Sequence, residues 1–154
     1  MIRPLLVLSV VVSLSACATA PGIQRVSAGT TVDIASAGTQ LSFQRAGGGI
    51  VRPLSHSPAL QAVAQARADE RAANSRLGPA GGAGDDLTAR LQQAGYVACA
   101  AAENLAQGSP DIRSAIADWM ASPEQRANIL SAQMTQFGFA GAGDTWVLVL
   151  ARPC

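Results

Sequence analysis

Glu103 and Asn104, neighbours in Ala102-Glu103-Asn104-Leu105-Ala106, are the residues of this 154-residue chain best suited to chemistry. The carboxylate can bind a cation or move a proton, and the amide can hold a neighbouring group in place. Gln125 follows in Ser122-Pro123-Glu124-Gln125, where an amide again stands at the start of a helical run. The chain has one histidine, His56, in Leu54-Ser55-His56-Ser57-Pro58, and with no acid beside it and no positioned partner it reads as a loop residue ahead of a helix. No serine lies in a G-x-S-x-G elbow. The glycine-rich stretch Arg76 to Asp86 lacks the strand, G-x-G-x-x-G and helix that a phosphate cradle requires. Glu103 is the single catalytic candidate. Its plainer use is to accept hydrogen bonds and hold a cleft together.

The cysteines lead to the N-terminus. Met1-Ile2-Arg3 and an apolar run from Leu5 to Val12 precede Leu14-Ser15-Ala16-Cys17. This reads as an export signal over residues 1–16, too short for a membrane span, which needs about 20 apolar residues. The last four residues resemble the bacterial lipobox, which implies acyl chains on Cys17. An ordinary secretory signal is the alternative. Several acyl chains anchor a protein stably, at about 0.8 kcal/mol per buried CH2. The expected location is the cell envelope, with Ala18 fitting the outer membrane and a domain facing the periplasm. Cys99 and Cys154 remain, and in an oxidising compartment they are expected to form a disulfide, with two buried free thiols as the alternative. Formal charge is +1 before the signal with its Arg3 is removed, and no basic patch points to nucleic acid.

Residues 17–38 are small and polar and read as a lipidated tether, leaving residues 39–154 for one domain. A first helix is expected over Thr39 to Ala46, stopped by Gly47-Gly48-Gly49. Ser57-Pro58 marks the start of a second, to about Asn74, with Leu60, Val63, Ala64 and Ala68 on its apolar side. Gln61, Gln65, Arg67, Asp69, Glu70 and Arg71 form its polar side, expected to face solvent. Asp85 or Asp86 caps a short helix to Ala94, closed by Gly95. After a short extended Tyr96 to Cys99, Ser109-Pro110 opens a helix with Ile112, Ala115, Ile116 and Trp119 in a stripe. Ser122-Pro123 opens another, with Gln125 expected to complete a capping box on Ser122. Gln136 to Ala140 and Trp146 to Ala151 read as strands. Helices first and strands late indicate an α+β domain.

The blocks Glu103-Asn104-Leu105-Ala106, Trp119-Met120 and Ser122-Pro123-Glu124-Gln125-Arg126-Ala127-Asn128-Ile129-Leu130 resemble the bacterial CAP/SCP-like domain of the cysteine-rich secretory, antigen 5 and pathogenesis-related superfamily. The resemblance covers roughly Leu41 to Arg152. It implies an α-β-α sandwich with helices packed on an antiparallel sheet, and a cleft where two histidines and acidic residues can bind a divalent metal. Gln125 stands where that family carries its second histidine, and Asn74 to Gly78 has none where it carries the first, so of the ligand set that the resemblance implies only Glu103 survives, and no metal or cofactor is expected. Arg126 and Asn128 match scaffold positions, and Trp119 and Trp146 read as core.

The combined expectation is a membrane-anchored envelope lipoprotein whose CAP-like domain has lost its metal chemistry. It would act as a binding or interaction module for a lipid, a glycan or a protein, through a cleft at Glu103, Asn104 and Gln125. Lipid binding is implied for the family. A hydrolase or protease using Glu103 and a water, and a structural envelope component, are the alternatives.

Overall fold

The computed structural model describes residues 32–74 and 86–154, which form five helices and four strands in one sheet. The elements run α1 (Ile34–Gly47), β1 (Ser55–His56), α2 (Pro58–Asn74), α3 (Leu87–Gln93), β2 (Ala98–Gln107), α4 (Ile112–Ala121), α5 (Pro123–Ile129), β3 (Gln136–Ala142) and β4 (Thr145–Pro153). Sheet order is β1-β3-β4-β2. The three long strands are antiparallel, as expected, and the two-residue β1 adds a parallel edge to β3. The expected signal, the expected tether up to Thr31, Cys17 and most of the glycine-rich stretch, including Gly78, lie outside the described residues.

Alternation along β4 divides the core in two. Trp146, Leu148 and Leu150 join Phe137, Phe139, Trp119, Ile116, Ile129 and Leu41 on the side of α1, α4 and α5. Val147, Val149 and Ala151 join Leu60, Val63, Ala64, Ala68 and Leu91 on the side of α2 and α3. This is an α-β-α sandwich, with both tryptophans buried, Trp119 at 0% and Trp146 at 2% exposure. α2 packs tightly because Gly138 carries no side chain. A Cβ there would collide with the Leu60 carbonyl and the Gln61 nitrogen.

Local signals explain the ends of α1. Asp33 accepts from the Ser36 N–H at 3.1 Å, so the helix begins at Ile34 and takes in residues 34–38, which composition had left in the tether. At the other end Gly49 has φ +85°, with Gly49 N–H to Ala46 O and Ile50 N–H to Arg45 O, the paired bonds of a Schellman turn. α4 starts later than Ser109-Pro110 suggests, because Asp111 is the cap, accepting from Ser114 N–H at 2.8 Å. Its carboxyl is held below the ordinary aspartate range, chiefly by that backbone bond. α3 is capped by Asp86, and Gly95 follows it with φ +71°.

β2 is the main element that sequence patterning missed. Its ten residues pair with β4 from Ala98 opposite Pro153 to Gln107 opposite Thr145, with a bulge between Ala98 and Ala100. Cys99 is the extra residue of that bulge and is bonded to Cys154, their Cα atoms 4.8 Å apart. The expected disulfide thus ties the start of β2 to the end of β4.

Candidate binding site

The polar side of α2 is solvated only in part: Asp69 and Glu70 are exposed, Gln61, Gln65 and Arg71 are half-buried, and Arg67 is buried. Arg67 is 3% exposed and reaches under the helix to Glu103, Nε to Oε1 at 3.4 Å, while its Nη1 meets Glu70 Oε2 at 2.9 Å. Arg90 of α3 donates from Nη1 to Glu103 Oε2 at 2.8 Å. Glu103 therefore has a guanidinium on each oxygen. Farther up α2, Gln61 takes both backbone groups of Phe139: its amide nitrogen donates to the carbonyl and its amide oxygen accepts from the N–H, each at 2.9 Å. β1 stops at Phe137, so this side chain completes the edge of β3 where no strand continues.

Asn104 turns the other way, because successive residues of a strand face opposite sides. It is fully buried, its Nδ2 donates to the Gln125 carbonyl at 2.8 Å, and its Oδ1 accepts from Asn128 Nδ2 at 2.8 Å. The Gln125 side chain does not cap α5. It donates to the Leu105 carbonyl at 3.0 Å, and Ser122 has no side-chain cap bond, so the capping box is absent. A helix lying beside an edge strand offers that amide an unpaired carbonyl, and the bond to β2 replaces the bond to Ser122. Of the three residues expected in one cleft, the structure joins Asn104 with Gln125 as a clamp between β2 and α5, and sets Glu103 apart on the opposite face.

An open recess lies elsewhere. Between α1 and β1 a groove of about 660 Å³ is lined by Ile34, Gly38, Thr39, Ser42, Leu54, His56 and Phe137, among others. His56 is thus a strand residue, its ring edge-on to Phe137 with centroids 5.7 Å apart. Gly38 lets α1 approach that ring, since a Cβ there would sit 3.2 Å from Phe137 Cζ. Sequence reading passed over this groove because its walls come from two segments with no shared motif. The size falls in the range of small-ligand sites, and the walls are mainly apolar with hydroxyls and an imidazole at the rim.

The model of the cysteine-rich secretory protein family, CAP, matches residues 47–149. The chain belongs to this family. Solved structures similar to this CAP domain include an extracellular protein containing an SCP domain from Bacillus anthracis, with a TM-score of 0.67, 19% identity, and coverage of 77% of this chain and 39% of that one. A cysteine-rich secretory protein from Staphylococcus aureus gives a TM-score of 0.63 at 20% identity over 76% of this chain and 37% of that one. An outer surface protein from Borrelia burgdorferi gives 0.66 at 15% identity over 82% and 99%. The chain spans about two-fifths of the first two, and at these identities the likeness is one of fold. Comparison with curated proteins gives no match.

The described residues of this CAP domain do not fit the metal that the family resemblance implies. Glu103, the surviving acidic residue, already faces two guanidinium groups, whose charge opposes a cation at its oxygens. Gln125 carries an amide in place of imidazole and commits its nitrogen to Leu105. Among the described residues no three His, Cys, Asp or Glu side chains gather as a ligand set.

Proposed function

We propose that this CAP protein is a lipid-anchored envelope protein whose domain binds a ligand without metal chemistry. The pairing of Glu103 with Arg67 and Arg90 carries the reading. The one carboxylate placed to coordinate zinc or to activate water is neutralised on both oxygens. The ligand's place is the groove between α1 and β1, where Ile34, Leu54 and Phe137 favour an apolar surface and Thr39, Ser42 and His56 offer polar contacts at its rim. A lipid, or an apolar part of a glycan or protein, suits that lining. The anchor is the acylated Cys17, and the extracellular and outer-surface character of the Bacillus and Borrelia proteins supports an envelope location.

Three measurements test this. Metabolic labelling with an alkyne fatty acid should mark the wild type and leave Cys17→Ser unmarked; equal labelling removes the anchor. Calorimetry with zinc should give no binding to the purified protein, and micromolar binding lost in Glu103→Ala would restore a metal site. Organic extraction of the Cys17→Ser protein should release an apolar ligand that is missing from Thr39→Trp, which blocks the groove. A ligand retained by that variant would place binding elsewhere.

A further inference from the structure

We infer that the outer face of α1 and the turn after it rest on the lipid surface to which the chain is anchored. Among the described residues the large exposed apolar side chains are Phe43, Val51 and Val97, and the first two stand at the same end of α1. Phe43 is 76% exposed, near the helix C-terminus, and Val51 is 90% exposed, the residue directly after the Schellman turn. A phenyl ring exposed to this extent, on a helix end that also carries Val51, leaves apolar area that a partner could cover.

The surrounding chemistry suits an interface between headgroups and acyl chains. The only charged residue within α1 is Arg45, and it is buried, leaving Ala35, Thr39, Gln40, Phe43, Gln44 and Ala46 as an uncharged outer side. Cations flank it: Arg113 lines a recess of about 390 Å³ with Phe43, Gln40 and Gln44, and Arg52 follows Val51. The nearby carboxylates, Asp33 and Asp111, each accept a backbone bond at the N-terminal end of a helix. Asp33 lies ten residues before Phe43, about 15 Å along the helix axis. An apolar tip between arginines matches a bilayer with anionic headgroups.

The proposal rests on the anchor reading, because attachment makes a weak surface contact sufficient. From Cys17 to Asp33 the chain can reach at most roughly 55 Å, so the domain stays close to the bilayer and α1 is the first element that the tether delivers to it. Lysine or glutamate in place of Phe43 would be the ordinary choice for a solvated helix face; aromatic exposure here is what a membrane would cover.

Tryptophan fluorescence tests the contact, since both native tryptophans are buried. The mature, acylated protein is reconstituted on vesicles of phosphatidylethanolamine and phosphatidylglycerol, with or without brominated acyl chains, and floated. Phe43→Trp is compared with Val97→Trp, an exposed site by β2, about 14 Å across the sheet from β1. In the floated fraction, bromolipid should quench the new signal of Phe43→Trp several-fold more than that of Val97→Trp. Equal or absent quenching in floated protein overturns the contact and leaves the anchor standing. Protein that does not float overturns the anchor, and the contact with it.

Discussion

Glu103 and Asn104 share a peptide bond and serve opposite layers of the domain. Glu103 holds Arg67 of α2 and Arg90 of α3, while Asn104 holds the Gln125 carbonyl and the Asn128 amide of α5. Two neighbouring side chains of β2 thus fasten helices on both faces of the sheet.

Asn104→Ala should lower stability by about 2 kcal/mol, because it removes a fully buried amide that holds the half-buried Gln125 carbonyl and Asn128 amide. Gln125→Ala, losing one bond to Leu105, should cost about 1 kcal/mol. Urea denaturation monitored by circular dichroism gives both values; equal and negligible losses would contradict the clamp.

Glu103→Gln should destabilise by about 2 kcal/mol, since Arg67 stays buried with Glu70 as its remaining carboxylate partner among the described ion pairs. Its ligand affinity at the α1–β1 groove should not change. A variant as stable as the wild type, with binding lost, would return Glu103 to a site role.

Arg45→Lys should also weaken the fold, by about 2 kcal/mol. The fully buried guanidinium donates to the carbonyls of Ile129, Ser131 and Met134 at 2.7, 2.9 and 3.2 Å, and burial draws it below its ordinary range. The three carbonyls are served from two nitrogens, Nη1 and Nη2, and an ammonium offers its donors from one point. Thermal unfolding provides the measurement, and an unchanged midpoint would refute the argument.

Acid should loosen α4 through its cap. Asp111 has a folded pKa below its ordinary 3.8, so the stability it contributes is present above that value and is lost as pH falls through the lower, folded one. The urea midpoint of the wild type should therefore fall more steeply than that of Asp111→Asn below about pH 4. Parallel curves would show that the cap does not contribute.

Reduction of Cys99–Cys154 should cost about 4 kcal/mol in the loop-entropy account, for a separation of 55 residues. Cys154→Ser should reproduce the drop in melting temperature under non-reducing conditions. A variant melting with the wild type would mean that β2 and β4 hold their register unaided.

Much of the architecture was legible because it is written in local chemistry. Ser57-Pro58, Asp86, Gly95 and the stripe Ile112, Ala115, Ile116, Trp119 mark helices wherever they occur, and Trp146 to Ala151 is apolar enough to be a buried strand. β2 was hidden because Ala98 and Ala100 to Ala102 have little strand propensity and no alternation; its pairing with β4 makes it a strand. The site was the least legible part. Arg67, Gln61 and Gln125 have the side chains of an exposed surface, and only partners far along the chain, Glu103, Phe139 and Leu105, turn them inward. A spacing rule cannot register such contacts.

The Gln61 amide facing Phe139 has a consequence beyond the stability of α2. An uncovered strand edge is a template on which another chain can add itself, and crowded proteins meet one another often. By occupying the N–H and carbonyl of Phe139, and with Gln65 reaching the Gly141 carbonyl at 3.4 Å, the helix presents side chains where a foreign strand would need bare backbone. Gln61→Leu would keep much of the volume and expose that backbone, so its expected fault is clumping of folded molecules before any loss of fold.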